Sequence, residues 1–238
     1  METAEVELGY LAHPSDGVHP GVVMIHDVWG VSDHTRDLAR RLADAGFSVL
    51  ALDLYRQMGE VSIENPGSWM RSLSDPEMID DVRSGVSFLS GHSASKGRPV
   101  GVTGFCMGGT VALLAACADT GVAASVPYYG LLSHEHGILH AEEGLDPALK
   151  PRQPLDAVAD LRCPTLCFYG DQDEFVPLSD IESLRERLAG QDVPAEVVVY
   201  PGAGHAFMNQ PRVEAYRPEA ARDAWGRMTA FLQEHLGR

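Results

Sequence analysis

A chain of 238 residues, 45% of them hydrophobic and 22% charged, can bury one well-packed core and is too apolar to be disordered. Its formal charge of −16, with no Lys/Arg cluster, repels polyphosphates and excludes nucleic acid as a partner. No apolar run reaches the roughly 18 residues that a membrane span needs. Met1-Glu2-Thr3-Ala4-Glu5 lacks the basic and apolar regions of a signal peptide, so a soluble cytoplasmic protein is expected.

Apolar runs alternate with helical patterns along the chain, which predicts an α/β fold, a mostly parallel central sheet with helices on both faces. Val22 to Ile25 reads as a buried strand. Thr35 to Gly46 has helical spacing through Leu38, Ala39, Leu42 and Ala43, and Phe47 to Leu52 is the next strand. Tyr55 to Asp75 is rich in Gly, Ser, Asn and Pro and reads as irregular, after which Pro76 opens a helix to about Leu89. Val100 to Thr103 is a strand leading straight into a turn at Cys106. Val111 to Ala118 continues as a small-residue helix and Val122 to Pro127 as a strand. Thr165 to Tyr169, a helix near Ile181 to Leu188, a strand at Glu196 to Tyr200 and a helix near Pro218 to Leu236 complete one domain over residues 1–238. No repeat, second domain or large cap domain emerges. One long excursion, residues 130–154, is a candidate cover for a site, because connections of that length are uncommon and often functional.

Four cysteines occur, at 106, 117, 163 and 167, with no zinc-type spacing. Cys117, Cys163 and Cys167 fall in apolar segments and read as core packing. Cys106 lies in Gly104-Phe105-Cys106-Met107-Gly108, a strand-to-helix turn with the spacing of a nucleophile elbow. Small residues are needed there because the backbone turns sharply, and the helix that follows aims free N–H groups at the reacting atom. Gly170-Asp171-Gln172-Asp173 follows another strand, so its carboxylates sit on the same sheet edge. Asp173 is preferred over Asp171 as the functional acid, and Asp171 is a candidate turn cap. Gly204-His205-Ala206 supplies a loop histidine whose ordinary pKa lies near neutrality. The chain order nucleophile, acid, histidine is that of α/β-hydrolases. His26-Asp27-Val28-Trp29-Gly30, after the first parallel strand, is placed to lend an oxyanion-binding amide, with His26 a structural residue. His134, His136 and His140 cluster in sequence but read as a solvated loop, and no metal site is expected.

The segments H-D-V-W-G, G-F-C-M-G-G, G-D-Q-D-E-F-V-P and G-A-G-H-A-F together resemble the dienelactone hydrolase family, the cysteine branch of the α/β-hydrolase fold. The resemblance runs from about Val22 to Leu236. It implies a catalytic Cys106, Asp173 and His205, and oxyanion donors in the amides of Val28 and Met107. The family's thiol-contacting glutamate corresponds to Asp27, one methylene shorter. The arginine that its characterised members carry shortly after the histidine corresponds to Asn209. Trp29, Arg36, Arg71, Phe207 and Asn209 are the remaining candidates for substrate contact.

The expected chemistry is acyl transfer from a lactone or small carboxylic ester through a thioester on Cys106, without metal or organic cofactor. A general carboxylesterase or thioesterase is the near alternative. A glutaminase on a similar elbow, or a non-catalytic small-molecule-binding protein on the same fold, is more remote. The family fits a monomer or weak homodimer.

Overall fold

A computed structural model describes residues 1–237. Its centre is one eight-stranded sheet in the order β1-β2-β4-β3-β5-β6-β7-β8. The outer hairpin β1 (Glu2–Val6) and β2 (Gly9–His13) is antiparallel, and β2 pairs antiparallel with β4 (Ser48–Leu52). All later neighbours are parallel: β4 with β3 (Gly21–Ile25), then β5 (Val100–Phe105), β6 (Ser125–Tyr128), β7 (Thr165–Gly170) and β8 (Ala195–Tyr200). β3 to β7 are buried along their whole length, as strands covered on both faces must be.

The helices cover that sheet by sequence-local rules. α1 (Asp33–Asp44) starts where the Ser32 hydroxyl accepts from the Thr35 amide, and it buries Thr35, Leu38, Ala39, Leu42 and Ala43 as one stripe. α2 (Pro66–Ser72) opens on a proline with the Asn65 side chain as its cap, and α3 (Asp75–Gly91) is capped by Ser74. α4 (Met107–Cys117) is buried at every position, which its Gly, Ala, Val and Leu content permits. α5 (Pro154–Ala157), α6 (Leu178–Ala189) and α7 (Pro218–Leu236) follow.

The α/β architecture expected from the sequence is present, with three differences. The sequence does not announce the β1–β2 hairpin: β1 is exposed at four of its five positions, so no apolar run marks it. The stretch from Tyr55 to Asp75, read as irregular, holds α2. The strand expected over Val122 to Pro127 is Ser125–Tyr128, because β5 pairs with that register. Among the described residues, no helix is long and apolar enough to cross a membrane.

Strand order decides where a site can lie. After β3 the chain adds β4 on one side and β5 on the other, so the loops leaving β3 and β5 diverge and open a crevice at their C-terminal ends.

Candidate active site

Cys106 stands in that crevice with φ 56° and ψ −118°, a backbone region that favours glycine. Its neighbours explain how the turn is held. A Cβ on Gly104 would sit 2.1 Å from the carbonyl oxygen of Gly108, and one on Gly108 would sit 2.4 Å from that of Ile25. The elbow is therefore packed against β3 with no room for side chains. The Cys106 amide donates to the Tyr128 carbonyl at 3.1 Å, and its carbonyl accepts from Thr110. The side chain is left part-exposed and lines a cleft of about 670 Å³.

His205 and Asp173 arrive from β8 and β7. The two loops are tied together: Gln172 N–H donates to the Ala203 carbonyl at 2.9 Å, and Gly202 N–H donates to Asp171 Oδ1 at 2.7 Å. Asp171 is thus a brace for the histidine loop. Asp173 is the acid that meets the ring, its Oδ2 lying 2.8 Å from His205 Nδ1. Its Oδ1 accepts from the amides of Phe175 (2.8 Å) and Val176 (3.2 Å), which fixes the carboxylate. Phe175 and Tyr129 present their rings edge-on to the imidazole at 4.9 and 5.1 Å between centroids. The other ring nitrogen, Nε2, is buried and has no hydrogen-bond partner among the described residues.

Burial lowers the pKa of His205, but the Cys106 sulfur beside it and the Asp173 carboxylate outweigh that and raise it to about 10. A raised histidine stabilises the fold while it is charged. That contribution is complete below about pH 6.5, its ordinary value, and is lost as pH rises toward 10. The stability gap between wild type and His205→Gln in urea should therefore narrow steadily from about pH 6 to about pH 10. A gap that stayed constant would contradict a charged ring.

The loop after β3 is clamped from below. His26 is fully buried; its Nδ1 donates to the Asp27 carbonyl at 2.5 Å and its Nε2 accepts from Leu54 N–H at 3.1 Å. Burial lowers its pKa, in keeping with that neutral tautomer. Tyr55 donates its hydroxyl to the Val28 carbonyl at 2.9 Å. These bonds leave the Val28 amide without an acceptor among the described residues, and the Met107 amide, first in α4, has none inside its helix. Asp27 lines the cleft with Cys106, but its Oδ1 accepts from Trp29 N–H at 2.9 Å, an Asx-type turn. Among the described residues it makes no hydrogen bond to the thiol.

Of the expected substrate contacts, Trp29 lines the cleft and stands 53% exposed at its edge. The other four do not. Arg36 pairs with Glu5 and lies over the Tyr10 ring, at the hairpin end of the sheet. Arg71 donates to the carbonyls of Ile138 (2.7 Å) and His140 (3.4 Å), clasping the excursion to α2. Phe207 is fully buried among Tyr128, Tyr129 and Tyr200, beneath the site. Asn209 turns inward because its amide donates back to the Ala206 carbonyl, and its Oδ1 is buried.

That same turn carries Arg212 to the cleft, its amide donating to the Asn209 carbonyl. A search limited to one spacing after the histidine misses it. The apolar walls come from Met70 of α2, Tyr129, Phe175, and Leu131 and Ile138 of the excursion. The 130–154 segment thus contributes directly to the cleft. His134, His136 and His140 join no group of three metal-binding side chains among the described residues.

Comparison with known proteins identifies the family. A model of the dienelactone hydrolase family matches residues 8–236. A protein of Methylorubrum extorquens named "Putative carboxymethylenebutenolidase" is 32% identical over 232 residues, 95% of this chain and 76% of that one. A "Probable 2-oxo-3-(5-oxofuran-2-ylidene)propanoate lactonase" of Bradyrhizobium sp is 34% identical over 236 residues, 98% and 91% of the two chains. The crystal structure of a "Putative Dienelactone Hydrolase" from Klebsiella pneumoniae superposes with a TM-score of 0.81 at 31% identity, covering 94% of this chain and 92% of that one. With its parallel sheet, elbow and loop order, the chain belongs to the dienelactone hydrolase family, enzymes of the α/β-hydrolase fold that act on ester or lactone bonds.

Proposed function

We propose that this chain hydrolyses a lactone or small carboxylic ester through a thioester on Cys106, with His205 and Asp173 completing the catalytic group. The observation that carries this reading is the succession Asp173–His205–Cys106, whose histidine and cysteine line an apolar cleft, with Nδ1 engaged by the carboxylate and Nε2 without another partner among the described residues. Asp173 fixes the imidazole tautomer and favours its charged form. Cys106 Sγ attacks the carbonyl carbon while His205 holds the thiol proton. The oxyanion is received by the amides of Val28 and Met107. Collapse breaks the acyl–oxygen bond, and His205 gives its proton to the leaving alkoxide. Water, deprotonated by His205, then cleaves the thioester, releasing a carboxylate and restoring the thiol.

The test is a panel of p-nitrophenyl acetate and small lactones, with mass spectrometry of Cys106 after brief exposure to iodoacetamide. Turnover together with selective alkylation of Cys106 supports a hydrolase. A chain that binds these compounds without turnover, and whose Cys106 reacts no faster than a model thiol, is a binding protein.

The substrate we infer carries a carboxylate. Arg212 is the only Lys or Arg among the described residues lining the cleft, and the Bradyrhizobium relative is named for a lactone with a propanoate group. Arg212 is half-exposed and, among the described residues, its one ion pair is with Glu214 at 3.5 Å, a surface pair of little strength. Its guanidinium is free to take a substrate carboxylate instead. Arg212→Gln should raise KM for carboxylate-bearing esters by roughly 10- to 100-fold and leave p-nitrophenyl acetate hydrolysis nearly unchanged. Equal effects on charged and neutral esters would assign Arg212 to the scaffold.

A further inference from the structure

A second cleft, of about 520 Å³, lies on the far side of the segment that follows His205. Residues 206–217 are folded on themselves by Asn209 N–H to Ala206 O (2.8 Å), Tyr216 N–H to Arg212 O (2.9 Å) and Arg217 N–H to Phe207 O (3.1 Å). Arg212 leaves this knot toward the active-site cleft, whereas Gln210 and Tyr216 leave it toward the second one. The opposite wall is Arg41 of α1 with Arg222 and Trp225 of α7, over a floor that includes Met208 and Ala221.

The charges of this cleft are unusual for a chain of net charge −16. Among the described residues it is lined by two guanidiniums and by no carboxylate. Neither Arg41 nor Arg222 joins an ion pair among the described residues. Two nearby acids are already taken: Asp37, one turn from Arg41, by Arg40 at 3.6 Å, and Asp223, next to Arg222, by Arg227 at 2.7 Å. Glu219 opens onto the adjoining groove instead. Arg41 lies over the Trp225 ring, 4.5 Å from its centroid, which orients the guanidinium by its face and leaves its N–H edges uncommitted. Two such edges suit the two oxygens of a carboxylate, and the half-buried Tyr216 ring with the buried Met208 suits a flat apolar body.

We propose that this cleft is a second, non-catalytic binding site for a small anion built on a planar ring, of the aromatic carboxylate class. Arg41 and Arg222 hold the carboxylate, and Tyr216 and Met208 take the ring. The site shares no lining residue with the active-site cleft, so it stands whether or not the hydrolase mechanism is right.

Isothermal titration with benzoate, on the full chain, tests this. Wild type should bind benzoate, the R41Q/R222Q variant should bind it about tenfold or more weakly, and R212Q should retain it at this site. Both replaced side chains are exposed, and an unchanged thermal midpoint verifies the fold of the variant. Inorganic phosphate, which has no ring for Tyr216 and Met208, should bind more weakly than benzoate. An R41Q/R222Q isotherm identical to that of wild type, or loss of binding only in R212Q, would place the anion elsewhere and overturn the proposal. Phosphate binding as tightly as benzoate would overturn the ligand class.

Discussion

Cys106→Ala should lower the hydrolysis of p-nitrophenyl acetate and reactive lactones by a factor on the order of 10⁶ in kcat, the loss typical when a nucleophile is removed from a coupled catalytic group. Loss of the sulfur removes the thioester route and leaves only what the two amides and the cleft contribute to direct attack by water. Alanine retains Cβ, so the backbone strain at φ 56° is unchanged and the comparison isolates the thiol. Cys106→Gly separates strain from chemistry. It should be equally inactive, yet more stable in urea by about 1 kcal/mol or more, because glycine adopts this conformation freely. Wild-type activity in Cys106→Ala would sink the assignment of the nucleophile. An unchanged or lower stability in Cys106→Gly would mean that the elbow stores no strain.

The second large effect concerns stability. Lys150, at the end of the excursion, places Nζ 2.5 Å from Oδ1 of Asp75 in the first turn of α3. The two side chains are only 4% and 6% exposed, and the neighbouring cavity is lined by Met78, Val111 and Leu139. Burial pushes the Asp75 carboxyl up and Lys150 opposes it. Lys150→Met leaves a buried carboxylate without a counter-charge and should cost about 3–5 kcal/mol near neutral pH. The cost should fall in acid, where Asp75 takes up a proton. Adding Asp75→Asn should recover most of the loss, because an uncharged pair has far less desolvation to repay. The measurement is a double-mutant cycle by urea denaturation. A single variant losing less than about 1 kcal/mol would show that water reaches the carboxylate. The Asp75 amide also donates to the Leu149 carbonyl, so this pair anchors the excursion whose Leu131 and Ile138 wall the cleft.

The residues of the candidate site differ in how plainly the sequence announced them, and the difference has a physical basis. Cys106, Asp173 and His205 each lie in the turn or loop that follows a parallel strand, and their local patterns are dictated by backbone geometry: small residues where main chains nearly touch, a turn after each strand. The choice of Asp173 over Asp171 is a tertiary matter, since both lie on one loop and only the packing of the β7 and β8 loops determines which carboxylate reaches the ring. Substrate contacts were the least legible. Arg36 and Arg71 had suitable chemistry, but their partners are Glu5 and the carbonyls of Ile138 and His140, distant in sequence. Arg212 reaches the cleft only because Asn209 and Arg212 sit in successive turns.

The parallel sheet, its strands from β3 onward with most of their helices, the Cys106 turn and the chain order Cys106, Asp173, His205 follow from the sequence itself, because periodicity and turn chemistry are local properties of the chain. The cleft, its single arginine, the buried Lys150–Asp75 pair and the second arginine-lined cleft arise only when segments far apart in the chain are packed together. A side chain's direction and its partner depend on that packing, which periodicity does not encode.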